Sequence, residues 1–341
     1  MSTNPQPALL FTRADVRSLL DLDVCIAAVE SAFRALADGA AIGPGVLGTH
    51  VAGGGFHVKT AGLLGPRPRY VAKINANFPG NPARHGLPTI QGVLALFDAA
   101  DGRVLALMDS GELTALRTAA ATAVAARHLA RPDSGTIAIL GCGLQGRHQL
   151  RALGRVLPLR RLLAWDTDRR VLSAFAAELE AEGGIEVTTV AGEPGAFLPA
   201  DVIVTCTPSR VPILTRARVA PGTFVAGVGA DSDDKSELAP DLLAGAVVVA
   251  DILEQCARIG DLHHALEAGA MRIEDVHAEL SQVVSGRRPG RTSPDEVTVF
   301  DSTGTALEDV AAAVAVYERG VAEGVGLEVA LGDGAAQRPS Y

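Results

Sequence analysis

The join at residues 136–153 constrains this chain most. Thr136-Ile137-Ala138-Ile139-Leu140 is a short apolar run that passes directly into Gly141-Cys142-Gly143-Leu144-Gln145-Gly146, and residues 148–153 then read as a helix. Strand, glycine turn and helix in that order open a βαβ unit, and each glycine has its own reason. Gly141 permits the tight turn, Gly143 lets a pyrophosphate approach the backbone, and Gly146 lets helix and strand pack closely. Leu144 and Gln145 complete the loop, whose backbone N–H groups, with the positive end of the helix, hold phosphate. Alone the pattern is weak, since any glycine-rich loop can match it. Asp166 strengthens it, standing about 20 residues on at the end of Leu162-Leu163-Ala164-Trp165, where such folds place a ribose ligand. A carboxylate there accepts the ribose hydroxyls and repels a 2′-phosphate. The expected cofactor is therefore NAD, with NADP less favoured, although Arg169 and Arg170 close behind could host a phosphate.

From residue 136 onward, short apolar runs at 136–140, 162–165, 186–190, 202–206, 224–228 and 246–250 alternate with helical segments. That is the sequence form of an α/β fold with a doubly wound parallel sheet, the Rossmann arrangement. A further strand at 297–300 precedes a helix at 305–323. Upstream, residues 13–38 read as one helix capped by Thr12 and ended by Gly39. Strands follow at 70–75 and 89–97, and Asp101-Gly102 turns into 103–108. An Ala-rich helix spans 112–129. The apolar stretch 242–253 reads as a buried strand with its flanks, residues 1–7 as a frayed start, and the tail after Gly326 as loosely held.

A chain of 341 residues has material for two domains. Its net charge of −9 argues against a nucleic-acid or anionic-membrane partner. The four cysteines show neither CxxC pairing nor metal-ligand spacing, so the expectation is reduced thiols and no metal centre. No signal peptide is evident and no apolar run approaches the ~20 residues that cross a bilayer, which gives a cytoplasmic expectation with no membrane partner.

A resemblance becomes specific at Arg117-Thr118-Ala119-Ala120, followed by the loop with Gln145. It continues through Gly229-Ala230-Asp231 with Lys235-Ser236-Glu237-Leu238, and ends in Phe300-Asp301-Ser302-Thr303-Gly304. In that order, over residues 10–325, these motifs resemble the ornithine cyclodeaminase/mu-crystallin family. The resemblance implies a split α+β substrate-binding and dimerisation domain, residues 1–117 plus 308–341, with a Rossmann NAD-binding domain, residues 118–307, inserted into it. It also implies a homodimer. The family includes ornithine and lysine cyclodeaminases, ketimine and cyclic-imine reductases, some alanine dehydrogenases and iminosuccinate reductase.

Three residues match the family's substrate-site pattern. Lys73 lies among apolar neighbours, either desolvated with a depressed pKa or at a sheet margin with its head in water. Arg117 has no evident charge partner beyond Glu112 on its own helix, and its fork suits a bidentate grip on an α-carboxylate. For Asp231 the resemblance implies a carboxylate that handles the proton of a substrate amine or imine; a turn-forming loop acid is the other reading. Two departures stand out. No arginine lies near Gly43-Pro44-Gly45-Val46, where the cyclodeaminases use one, and His57 stands where they carry a glutamate. Lys59 shares a strand face with His57 and could replace the arginine, with His57 lining the pocket or serving structure alone. Thr207 and Ser209, after the fourth strand, either border the cofactor or form the turn around Pro208.

The expected activity is NAD(H)-linked interconversion of a small anionic α-amino acid and its α-imino acid or cyclic ketimine. Lys73 and Asp231 would be catalytic, and Lys59, Arg117 and His57 substrate-binding. The alternatives are an ornithine-type cyclodeaminase without net redox and a crystallin-like protein that binds NAD(P)H without turnover.

Overall fold

The computed structural model describes residues 7–192 and 199–331. The readings of residues 1–6 as a frayed start and 332–341 as a loose tail lie outside them. The chain divides into two compact units, one running up to Arg117 and resuming at Ala306, the other Thr118–Thr305.

The first unit opens with β1 (Ala8–Phe11), α1 (Arg13–Leu19) and α2 (Leu22–Ala37). Residues 13–38 are thus two helices, which corrects the single helix read from the sequence. Thr12 caps the first and exchanges bonds with Asp15, and Asp21 caps a second by accepting from the Val24 N–H. A capping acid placed after an extended Leu20 restarts the helix in a new direction. There follow β2 (Ala41–Val51), β3 (Gly54–Leu63), β4 (Arg69–Asn77), α3 (Asn81–His85), β5 (Ile90–Asp98), β6 (Val104–Asp109) and α4 (Ser110–Leu129). The glycines and Pro44 give β2 an unusual composition for a strand. The strand tolerates them because it is a sheet edge with an irregularity between Ile42 and Gly45.

The second unit runs through β7 (Thr136–Leu140), α5 (Leu144–Leu153), β8 (Arg161–Trp165), α6 (Arg169–Glu182), β9 (Glu186–Thr189), β10 (Val202–Thr205) and β11 (Phe224–Gly227). It continues with α7 (Pro240–Ala244), β12 (Val247–Ala250), α8 (Leu253–Ile259), α9 (Asp261–Glu267), β13 (Ala278–Glu279), α10 (Leu280–Val284) and β14 (Thr298–Asp301). The stretch 242–253 is therefore helix, strand and the start of another helix. Its strands pair in parallel in the order β13-β12-β14-β11-β10-β7-β8-β9. This is the Rossmann form of an α/β sheet, with the order reversing between β7 and β10 and the last strand, β14, inserted between β11 and β12. Buried on both faces, β10 and β11 are apolar throughout their length apart from Thr205 and Gly227.

The chain then returns to the first unit as α11 (Ala306–Glu323) and β15 (Leu327–Val329). The tail after Gly326 is not loose at this point: Gly324 and Gly326, both at positive φ, turn it so that β15 pairs antiparallel with β1. The first unit's sheet has the order β15-β1-β6-β5-β4-β3-β2. Its register sets Val46, Lys59, Lys73, Leu94 and Met108 in one row, and Leu47, Val58, Ile74 and Val93 in a row on the opposite face. The helix α11 packs across β3 and β4. On the first row Lys73, Leu94 and Met108 are buried, while on the second Leu47, Ile74 and Val93 are exposed.

Candidate active site

In the second unit the three glycines occupy three different environments. Gly141 has φ of 101°, and a Cβ there would stand 2.7 Å from the Cys206 carbonyl oxygen. At Gly146 a Cβ would stand 2.3 Å from the Gly141 carbonyl oxygen, so any larger residue forces α5 away from β7. Around Gly143 nothing lies within 4 Å of that position, which leaves the backbone open to a ligand. Leu144 is exposed, and Gln145 Oε1 is buried with no hydrogen-bond partner among the described residues. Open backbone, helix N-terminus and an unpaired polar atom fit a dinucleotide's phosphates.

Asp166 is tied into the same loop. Its carboxylate accepts from the Cys142 N–H at 2.8 Å and from the Asp168 N–H at 2.8 Å. Trp165, Asp166, Arg169, Val190 and Ile213 help line a cavity of 770 Å³. Asp166→Ser is expected to weaken NAD binding by roughly tenfold or more, since a charge-assisted hydrogen bond contributes about 1.5–3 kcal/mol. The same change should improve NADP binding, with Arg169 at hand, and fluorescence titration with both reduced cofactors measures the ratio.

Thr207 and Ser209 spend their hydroxyls locally. Thr207 donates its N–H (2.6 Å) and its hydroxyl (2.7 Å) to Glu237, and Ser209 donates its hydroxyl to the Val211 carbonyl at 2.7 Å. Glu237 also accepts from the Gly229 N–H at 2.7 Å. One buried carboxylate therefore joins the loops that follow β10 and β11; burial pushes its pKa up, and these bonds only partly offset that. Asp231, in the second of these loops, lies 2.5 Å from Lys235 Nζ and is 44% exposed.

The first unit holds a compact charge cluster. Lys73 on β4 stands directly opposite Lys59 on β3, with His57 two residues along the same face and half-buried. Lys59, Lys73 and Arg117 are all buried. Lys73 Nζ is 2.6 Å from Asp309 Oδ2 and 3.5 Å from the Thr114 hydroxyl oxygen. Arg117 donates from Nε to Asp309 Oδ1 at 2.9 Å and from Nη1 to Glu308 Oε2 at 2.7 Å. Arg117 thus has two carboxylate partners from α11, while Glu112, the candidate on its own helix, pairs with Arg17. Neither contact uses Nη2. Burial, with the charges of Arg117 and Lys59, outweighs Asp309 and lowers the Lys73 pKa to about 7. Burial works against the Arg117 charge as well, but Asp309 and Glu308 prevail and hold its pKa above the usual range.

The glycine loop, the returning helix and this cluster place the chain among known proteins, because the ornithine cyclodeaminase/mu-crystallin family matches residues 7–324. The chain belongs to that family. Alanine dehydrogenase of Archaeoglobus fulgidus is 37% identical to it over 322 residues, covering 94% of this chain and 98% of that one. An archaeal alanine dehydrogenase dimer with bound NAD superposes with a TM-score of 0.90 at 37% identity, covering 95% of this chain and 99% of that one. The Δ1-pyrroline-2-carboxylate reductase of Thermococcus litoralis, in complex with NADH and L-proline, gives a TM-score of 0.90 at 31% identity, covering 94% of this chain and 100% of that one.

Within this family member, sequence reasoning passed over Glu308, Asp309 and Glu237 as site residues. Acids in the first turn of a helix, like Glu308 and Asp309, read as ordinary partners of the helix dipole. The available signal lay elsewhere: two cations on buried elements require counter-charges, and few acids of the first unit lie in apolar surroundings.

Proposed function

We propose that this chain, an NAD-dependent oxidoreductase acting on carbon–nitrogen bonds, interconverts a small α-amino acid and its α-imino acid, free or as a cyclic ketimine. The observation that carries the reading is the cluster of the first unit, where Lys59, Lys73 and Arg117 lie buried around the carboxylates of Glu308 and Asp309. Cationic side chains gathered at one buried place suit a substrate carboxylate. In this reading Lys59, Lys73 and Arg117 bind the carboxylate, His57 lines the pocket, Lys73 also polarises the C=N bond, and Asp231 gives or takes the proton at nitrogen. The dinucleotide, when bound, supplies or accepts the hydride. Gly141, Gly143, Leu144, Gln145 and Gly146 hold its phosphates, Asp166 its ribose, and Thr207 and Ser209 shape the neighbouring turn. The Asp166 carboxylate accepts the ribose hydroxyls and repels a 2′-phosphate, which favours NAD over NADP.

Support comes from the relatives, one solved with NAD and one with NADH and L-proline. We also propose a homodimer. The exposed row Leu47, Ile74 and Val93 offers an apolar sheet face for a second copy, and the related alanine dehydrogenase was solved as a dimer. No helix among the described residues is long and apolar enough to cross a membrane.

The test is NADH consumption with Δ1-pyrroline-2-carboxylate, iminosuccinate or pyruvate plus ammonia, run beside ammonia release from ornithine. Net NADH oxidation with an imino acid is the expected result. Ammonia release from ornithine with no net change in NADH would instead make the chain a cyclodeaminase. Tight NADH binding with no turnover would make it a binding protein.

A further inference from the structure

Of the thirty basic side chains, three are lysines, namely Lys59, Lys73 and Lys235, and all the others are arginine. Arginine keeps its proton at any pH a protein meets and presents a planar fork; lysine is a compact point donor whose pKa yields to its surroundings. A chain that writes its cations almost wholly as arginine keeps lysine where arginine cannot serve. Two of the three belong to the buried cluster of the first unit. Lys235 belongs to the second and has no part in the reading above.

Its surroundings are specific. Lys235 Nζ lies 2.5 Å from Asp231 Oδ1, and its side chain is 20% exposed. The backbone around it is pinned. The Lys235 N–H donates to the Ser232 carbonyl at 3.1 Å, and the Lys235 carbonyl lies 2.8 Å from His264 Nε2 on α9. Ser236 N–H reaches the Ser209 carbonyl at 3.0 Å, and Glu237 N–H reaches Asp261 at 2.7 Å. Two more acids share its loop: Asp233, and Asp234, which is paired with Ser232 and with Arg210 at 2.8 Å.

We propose that Lys235 is the positioning residue for Asp231, its ammonium fixing one carboxylate oxygen and keeping the group ionised in a loop it shares with Asp233 and Asp234. The proposal rests on the reading of Asp231 as the group that handles the substrate nitrogen's proton. An ammonium makes a single-point contact, whereas a guanidinium would grip both oxygens of the carboxylate and block the one the substrate needs. That difference explains a lysine at this place and gives the test.

The experiment measures kcat/KM for amino-acid oxidation against pH in the full-length enzyme, in Lys235→Met, Lys235→Arg and Asp231→Asn. Lys235→Met should move the acid limb up by about one pH unit, a roughly tenfold loss on that limb that alkaline pH restores. Lys235→Arg should keep the limb in place and lower kcat at every pH. Unshifted limbs with wild-type turnover in both variants overturn the proposal, as does a uniform loss accompanied by weaker NAD binding. If Asp231→Asn keeps full turnover, the reading of Asp231 fails first. If Asp231→Asn is inactive while Lys235→Met is unshifted, only the positioning role fails. Should Lys235→Met not fold, lysine-labelled wild-type protein gives a direct measurement, since three lysines yield three signals. The Lys235 signal should report a carboxylate titration that Asp231→Asn abolishes, and its absence in the wild type overturns the proposal.

Discussion

Replacing Lys73 by methionine is expected to lower kcat/KM by about 10²–10⁴-fold, the span over which a positioned acid or base contributes, while NADH binding to the glycine loop stays intact. Methionine matches the lysine stem in size, so the buried row of β4 keeps its packing. What it lacks is the ammonium beside Asp309. The pH dependence makes the expectation specific. With its pKa lowered to about 7, Lys73 is protonated below that value and neutral above it. If the ammonium binds the carboxylate and polarises the C=N bond, kcat/KM for imino-acid reduction falls as pH rises through about 7, by roughly tenfold per unit once above it. Lys73→Arg separates charge from titration. A guanidinium keeps its proton across this range, so the limb near 7 should vanish even if the absolute rate is lower. Steady-state kinetics across pH, with NADH affinity measured by fluorescence, checks all three enzymes. A methionine variant that turns over like the wild type removes Lys73 from the mechanism.

What the sequence could reveal divides along the same physical lines as the two units. The central strands of the second unit are buried on both faces, so Val202–Thr205 and Phe224–Gly227 stand out as apolar runs between polar turns. Their order was not legible, because nothing in the β14 run states that it slots between β11 and β12. In the first unit the signals conflict. β2 is an edge strand whose Gly43, Pro44 and Gly45 carry the composition of a loop, and Asp21 starts a new helix inside a stretch whose apolar spacing suits one. β15 is three residues whose place is decided by the open edge of β1, far away in sequence. The site shows the same division. The glycine loop is local: a Cβ at Gly141 or Gly146 would meet backbone, and one at Gly143 would meet open space, as their motif positions demand. The charge cluster is not local, since Arg117 and Asp309 are brought together across 192 positions of sequence. Motif matching found the cations, while their carboxylate partners looked like routine helix-start acids.

Asp309 is the position where the largest loss of stability is expected. Buried on α11, it touches Lys73 with one oxygen and Arg117 with the other. Burial pushes its carboxyl up, but Arg117 and Lys73 outweigh that and hold it below the usual range. Asp309→Ala removes one partner of two buried ion pairs and leaves both cations poorly compensated, a loss of about 3–5 kcal/mol for a pair broken in this way. At about 2–4 °C per kcal/mol, a thermal transition should fall by roughly 10 °C. The sign of the acid dependence follows from the lowered pKa. The contribution of this carboxylate is present above its ordinary value of 3.8 and is lost only as pH falls through the lower folded value. Asp309→Asn is milder because it keeps a polar group between the cations, but it removes the charge that supports the Lys73 ammonium. The Lys73 pKa should then fall further below about 7, and the alkaline limb of imino-acid reduction should move to lower pH with it. Calorimetry of the alanine variant and the pH profile of the asparagine variant measure the two effects separately. An asparagine variant whose limb stays in place would show that Asp309 supports the fold without setting the charge state of Lys73.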